Sequence, residues 1–431
     1  MSILIMGTGY VGITTAIMFA ELGIPATGFD SNPGKIALLN GGHLPIYEPG
    51  MQPVLEKHLA LGTIRFVQDE QSSIREHDTI FLCVGTPSNS DGSANLNAIR
   101  QASEWIGRHM QAPTLVVIKS TVPVGVNERV AGWIAGKQSS PIPFDVVMNP
   151  EFLREGSALA DSLAPDRIVV GSDSAEAAER LLSLYEAIDC PKIVTTPRAA
   201  VMIKYASNAF LATKISFINE LARLCDELRI DIGEVSRGMG LDPRIGSLFL
   251  RAGIGYGGSC FPKDVDALVH TAAASKQRLT IIEQAARVNR TQPLHALDRW
   301  ERLLPSSFAG MTVVVLGIAF KPDTDDLREA PALVLLSELL AKQASIHVHD
   351  PLAVLPAHFR SLGIVQFDTV EGALHGADAV IVCTEWPEYR EADWGRMKSV
   401  MNGHVVFDGR NALDGPGLTE LGYSYYGISR H

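Results

Sequence analysis

The sequence predicts an α/β protein, with two doubly wound domains joined by a central helical region that contains one long helix. Three observations carry the prediction. Apolar strand-like runs alternate with helical patterns over residues 1–197, the same alternation restarts at Met311, and Arg198 to about Leu228 is amphipathic without a proline or glycine. Alternating strands and helices build mostly parallel sheets with helices on their faces. The 431 residues, 46% of them hydrophobic, suffice for two or three domains with their own cores. We expect boundaries at 1–197, 198–305 and 306–431.

The first element is Ser2–Met6, a short apolar run suited to a buried parallel strand, leading into Gly7-Thr8-Gly9-Tyr10-Val11-Gly12. A helical pattern runs to Gly23, and Ile24–Phe29 reads as a second strand ending at Asp30. Strand, G-x-G-x-x-G, helix, strand and acid form a Rossmann-like dinucleotide fingerprint. Gly7 makes the tight turn, Gly9 admits a pyrophosphate to the backbone amides, and Gly12 lets helix pack on strand. Asp30, 18 residues after Gly12, is placed to grip a ribose 2′-hydroxyl and to repel a 2′-phosphate, which favours NAD over NADP. Lys35 is close enough in sequence to reach the same ribose or a phosphate. The apolar opening lacks a basic leader and carries a phosphate-loop pattern, so no targeting segment is expected, and no stretch approaches the ~20 apolar residues of a membrane span.

Further strand-like runs follow at Thr79–Val84, Thr114–Lys119, Val146–Met148 and Ile168–Gly171. The segments after three of them, Val84–Pro87, Lys119–Gly125 and Asn149–Glu155, fall where ligands bind at the carboxyl edge of parallel strands. Ordinary turn chemistry is the plainer reading of the first two. Glu151 and Glu155 form either a solvated helix face or, at that edge, a source of a base. On the long helix Lys204 and Asn208 are four apart on one face, amid Ala200, Val201, Tyr205, Ala206, Ala209 and Phe210. A lysine in an apolar stripe can simply snorkel to solvent; if both point inward, ammonium and amide make an oxyanion site.

Gly257-Gly258-Ser259-Cys260-Phe261-Pro262-Lys263-Asp264 sets a thiol behind a glycine pair. Ser259 is a good N-cap and Pro262 is tolerated in a first helical turn, so a loop feeding a helix is expected. Amides at a helix start and a neighbouring lysine favour thiolate over thiol. Asp264, one turn on, can handle protons or water beside the sulfur. A lone cysteine is otherwise a core residue, so the segment alone decides nothing.

The second α/β unit begins with Met311–Gly317, continues through Ala344–Val348 to Asp350, and has a further strand at Ala379–Cys383. Its turn, Gly317-Ile318-Ala319-Phe320-Lys321, offers one glycine and a lysine in place of the full fingerprint. Two nucleotide-sized units suggest a cofactor on one, a second nucleotide-like ligand on the other, and Cys260 between them. The formal net charge of −11 argues against a nucleic-acid partner. Five scattered cysteines without metal-ligand spacing suit reduced thiols in the cytoplasm, and no metal is expected.

Together these residues resemble the UDP-glucose/GDP-mannose dehydrogenase family. The resemblance covers Gly7–Gly12, Val84–Pro87, Lys119–Gly125, Asn149–Gly156, Lys204–Phe210, Phe249–Asp264, Gly317–Lys321 and Asp323–Pro331. It implies a two-step, four-electron oxidation of a nucleotide sugar's C6 hydroxyl to a carboxylate with two NAD. Cys260 would capture the aldehyde as a thiohemiacetal that becomes a thioester. Lys204 and Asn208 would stabilise the oxygen charge. Glu151, Thr121 and Asp264 are the candidates to activate water, with Glu151 chosen as the base. The resemblance further implies NAD contacts from Val11, Asp30, Lys35, Thr86, Thr121, Glu155, Lys263 and Arg328. The nucleotide sugar would lie against Phe152, Leu153, Arg154, Glu155, Lys204, Asn208, Phe249, Leu250, Arg251, Ala252, Gly253, Gly257 and Lys321, with Arg410 toward the diphosphate. Arg244 would reach the substrate of a second subunit in a homodimer cored by the long helix. Ser31-Asn32 follows Asp30 where many relatives carry another acid, which leaves the NAD preference intact. The wording of Gly253–Gly258 favours UDP-glucose, with GDP-mannose or a UDP-N-acetylhexosamine as the alternative. Two other classes compete: a redox-inactive nucleotide-sugar binder, which has no use for the thiol, and a one-step alcohol or 3-hydroxyacyl-type dehydrogenase, which needs neither the thiol nor a second α/β unit.

Overall fold

A computed structural model describes residues 2–430. The chain divides into two compact units, Met1–Ser207 with Asp266–Gln277, and Asn208–Val265 with Arg278–His431.

The first unit is built on strands β1 (Ile3–Met6), β2 (Ala26–Phe29), β3 (Ile64–Val67), β4 (Thr79–Leu82), β5 (Thr114–Ile118), β6 (Phe144–Met148), β7 (Ile168–Gly171) and β8 (Lys192–Thr195). They form one sheet in the order β3-β2-β1-β4-β5-β6-β7-β8. Strands β1, β2, β4, β5 and β7 are buried at every position. Burial on both faces is why their sequences are near-continuous apolar runs. The expected parallel arrangement holds from β3 to β6, but Met148 meets Gly171 antiparallel, so β7 and β8 run against the rest. The order reverses between β1 and β4, which opens a crevice at their carboxyl ends. Gly7, Val84–Pro87, Lys119–Thr121 and Asn149–Gly156 follow β1, β4, β5 and β6, so parallel register gathers them on one edge.

The second unit carries an all-parallel sheet of β9 (Thr312–Leu316), β10 (Ser345–His349), β11 (Val365–Phe367), β12 (Ala379–Val382), β13 (Val405–Asp408) and β14 (Ser424–Gly427). Its order is β11-β10-β9-β12-β13-β14, with the reversal between β9 and β12. One core of this unit joins Ile218, Ala222 and Cys225 of the long helix to Trp300, Val313, Val315 and Phe407.

The long helix is Pro197–Leu228, 32 residues, beginning two residues after β8. Pro197 suits a first helical position, where its missing N–H costs nothing. Ala200, Val201, Lys204, Tyr205, Asn208, Ala209 and Ala212 are buried, the three-and-four spacing of one helical face. Ala206 and Phe210, grouped with that face in the sequence, turn outward, and Phe210 is 66% exposed. Among the described residues no helix is long and apolar enough to cross a membrane.

Candidate active site

The first unit holds a dinucleotide cradle. Gly7 has φ +97°, and a Cβ there would lie 2.8 Å from the Cys83 carbonyl oxygen. At Gly12 a Cβ would lie 1.8 Å from the Gly7 oxygen, so helix and turn touch because residue 12 has no side chain. Gly9 differs: a Cβ would meet nothing within 4 Å, which leaves room for a pyrophosphate above the first turn of helix Tyr10–Glu21. Asp30 Oδ2 accepts from the Thr8 N–H and hydroxyl, each at 3.0 Å, and from Lys35 Nζ at 2.8 Å, while Oδ1 accepts from Asn32 N–H at 3.0 Å. Burial pushes this carboxyl up, but the Lys35 ammonium and the backbone N–H groups outweigh it and hold Asp30 below the usual carboxylate range. Lys35 is therefore tied to Asp30. Thr86 donates to the Thr121 carbonyl at 2.8 Å, linking the loops after β4 and β5. An open glycine, exposed amides and an ionised acid fit NAD.

Beside this cradle, Glu151 is 7% and Lys204 2% exposed. Lys204 Nζ donates to Glu151 Oε1 at 2.8 Å, and Glu151 Oε2 accepts from Leu153 N–H at 2.8 Å. The Phe152 ring lies 5.5 Å from Lys204 Nζ and carries the Arg167 guanidinium at 3.7 Å. Arg154 is bound through its backbone and side chain to Asp161. Lys119, read from sequence as turn chemistry, is buried, and donates to Asn149 Oδ1 at 3.1 Å and the Tyr185 hydroxyl at 3.4 Å. Burial lowers its proton affinity, against the opposing pull of Cys83 and Glu151.

In the second unit, Cys260 rather than Ser259 holds the cap position of helix Phe261–Ala274, its carbonyl accepting from Asp264 N–H at 2.9 Å. The sulfur lies 3.6 Å from Ser259 Oγ. Asp264 is 1% exposed, with Asn208 Nδ2 donating to Oδ2 at 2.7 Å and Lys263 Nζ to Oδ1 at 2.6 Å. The proposed oxyanion donors thus each hold a carboxylate, Lys204 on Glu151 and Asn208 on Asp264. An ammonium has three N–H groups and an amide two, so each can donate to more than one acceptor.

The glycine-rich segment before Cys260 is pinned by side chains that sequence reasoning missed. Asn219 Oδ1 accepts from Gly253 N–H and Gln292 Nε2 donates to the Gly253 carbonyl, at 2.8 and 2.9 Å. Asn289 grips both backbone groups of Tyr256, at 2.8 and 2.9 Å. Arg410 bridges the carbonyls of Cys383, Gly255 and Phe320, so its guanidinium braces backbone rather than standing open toward a diphosphate. Amides three apart on an otherwise apolar helix face, Asn289 and Gln292, were the available signal. Leu250 and Ala252, expected beside the nucleotide sugar, have their side chains packed in the core of this unit. Phe249 has φ +64°, a strained region for a side chain, and packs on Phe261 beside the cysteine. Arg244 is exposed and paired with Asp242, Arg328 with Asp326, and Lys321 lies over the Phe320 ring.

The second sheet's turn is built differently from the first. Asp350, at the end of β10 as Asp30 is at the end of β2, accepts from both Ile318 N–H and Ala319 N–H, at 2.7 and 3.0 Å. Where Asp30 binds one turn amide, Asp350 binds two.

The cradle and fold define a NAD-dependent oxidoreductase. Residues 1–189 match the NAD-binding domain model of the UDP-glucose/GDP-mannose dehydrogenase family, 198–291 its central domain and 314–415 its UDP-binding domain. The chain is 42% identical to the UDP-glucose 6-dehydrogenase YwqF of Bacillus subtilis over 431 residues, covering 100% of this chain and 98% of the relative. It is 39% identical to the Pseudomonas aeruginosa UDP-glucose 6-dehydrogenase, with 100% and 98% covered. The solved UDP-glucose dehydrogenase of Pyrobaculum islandicum superposes with a TM-score of 0.92 at 39% identity, covering 100% of this chain and 98% of that one. The chain belongs to the UDP-glucose/GDP-mannose dehydrogenase family.

Proposed function

We propose that this chain oxidises UDP-glucose at C6 to UDP-glucuronate, in two NAD-dependent steps, through a thiohemiacetal and a thioester on Cys260. The observation that carries the reading is one helix bearing two buried donors a turn apart: Lys204 on Glu151, and Asn208 on Asp264, itself one turn beyond Cys260. A protein that only bound nucleotide sugars would not need this set. NAD, when bound, supplies the hydride acceptor. Glu151 takes the C6 hydroxyl proton as the first oxidation occurs, and the positive charge of Lys204 and the amide of Asn208 steady the oxygen. The Cys260 thiolate then adds to the aldehyde carbon and the oxygen gains a proton, giving the thiohemiacetal. Loss of a hydride to a second NAD and of the hydroxyl proton to Glu151 leaves the thioester. Water, activated by Glu151, Thr121 or Asp264, adds to its carbonyl; the carbon–sulfur bond breaks, freeing the carboxylate and returning the thiolate.

The choice of UDP-glucose is supported by the printed names of the relatives, and the three matched segments support functional parts at 1–197, 198–305 and 306–431. A homodimer is supported by Phe210, Phe217 and Leu224, 46–66% exposed at seven-residue spacing on the long helix, and by the exposed Arg244. Five cysteines that are all thiols suit a cytoplasmic location.

NADH formed per sugar consumed tests the reading. Two NADH per UDP-glucose in the wild type, with Cys260→Ser stalled, is the expected result. One NADH would mean release of the aldehyde and would remove Cys260 from its role. Turnover only with GDP-mannose or a UDP-N-acetylhexosamine would keep the mechanism and replace the substrate; a Cys260→Ala variant that kept all function would restore the binding-protein reading.

A further inference from the structure

Glu48 is a carboxylate, 4% exposed, in the loop Leu44–Gly50, far in sequence from the residues that carry the chemistry. Both oxygens engage one stretch of backbone. Oε2 accepts from Gly156 N–H at 2.7 Å and Oε1 from Ala158 N–H at 2.6 Å. The Gly156 N–H is shared with the Tyr10 hydroxyl, at 3.0 Å, and Tyr10 is the first residue of the helix behind the dinucleotide turn. Gly156 has φ +80°, a conformation that needs an external hold once glycine has permitted it. The preceding residues are held the same way, Leu153 N–H by Glu151 and Arg154 N–H by Asp161. Carboxylates thus fix the backbone from Glu151 to Ala158, and only Glu48 comes from outside the neighbourhood.

We propose that Glu48 is a positioning residue for Glu151. Its carboxylate anchors the segment downstream of the base, and the Tyr10 hydroxyl ties the same amide to the phosphate-binding turn, so that filling the turn with NAD steadies the base. The inference rests on Glu151 being the base. Glu48→Gln tests it, since an amide offers one oxygen to two N–H donors and sets its own N–H₂ against one of them. The expected kcat for UDP-glucose falls about tenfold to a hundredfold, as for a modestly misplaced group, with KM for NAD and sugar changed less than about threefold. Hydrogen exchange over residues 149–158 rises in the variant, and NAD, which slows it in the wild type, no longer does so. Unchanged kcat, or unchanged exchange in that segment, overturns the proposal. Should Glu48→Gln not fold, Tyr10→Phe removes only the hydroxyl link: loss of the NAD-dependent protection of 149–158 supports the coupling, and its retention refutes it. If the wild type reduced NAD with no nucleotide sugar, the proposed reaction would fail, while the exchange measurement would still decide whether Glu48 holds the segment.

Discussion

Asp30 ends β2 with its carboxylate bonded to the Thr8 backbone and hydroxyl, Asn32 and Lys35. Its lowered pKa means that its contribution to stability is complete above the unfolded value of about 3.9 and is lost as pH falls through the folded one. Asp30→Asn is therefore expected to lower the unfolding temperature by a margin that is constant from about pH 5 to 8 and shrinks below about pH 4. The same variant removes the charge that opposes a 2′-phosphate, so the ratio of kcat/KM for NAD over NADP is expected to fall about tenfold or more, one such charge contact being worth roughly 1.4 kcal/mol. An unaltered ratio would show that discrimination lies elsewhere. Asp30 and Cys260 were legible because acid and thiol stood inside glycine patterns with a mechanism. Glu48 and Lys119 were not, because an isolated residue that bonds distant backbone or buried amides leaves no spacing to read.

The segment from Phe249 to Gly258 has no regular structure of its own and depends on neighbouring elements for its shape. Asn289, on helix Thr280–Glu301, supplies a partner to both the N–H and the carbonyl of Tyr256. Asn289→Ala leaves that N–H and carbonyl without these bonds, at a cost of about 1–3 kcal/mol. Calorimetry should show a clear fall in Tm, and KM for the nucleotide sugar should rise more than KM for NAD; equal changes in both would argue for a general loss of packing. Periodicity made the long helix legible, since the 31 residues from Arg198 to Leu228, without glycine or proline, left no other element to draw. It misassigned Ala206 and Phe210 because an apolar residue on a helix belongs to the core face or to an interface, and hydropathy alone does not separate the two.

Both sheets were visible as runs of apolar residues; the four edge strands β3, β8, β11 and β14, short or mixed in polarity, were missed, as was the interior β13. The antiparallel turn at β7 had no signal, since a buried strand reads alike in either direction. At the scale of the assembly, the outward row of Phe210, Phe217 and Leu224 needs cover, for an apolar row on a 32-residue helix is a poor surface to leave in water. Phe217→Glu with Leu224→Glu should convert the proposed dimer to a monomer by light scattering. If Arg244 serves a neighbouring subunit, activity should fall with the dimer; a fully active monomer would remove Arg244 from the site.

Asp350 gives the molecule a count. By taking the Ile318 and Ala319 amides for itself, it sets the second turn apart from the first, and the family's NAD-binding domain model matches the chain once, at residues 1–189. Four electrons must then pass through a seat that accepts two. Halfway through each cycle the spent cofactor has to depart and a fresh one arrive, with the half-oxidised sugar waiting. On the proposed mechanism a carbon–sulfur bond to Cys260 would outlast that interval, whereas a free aldehyde would have every chance to leave.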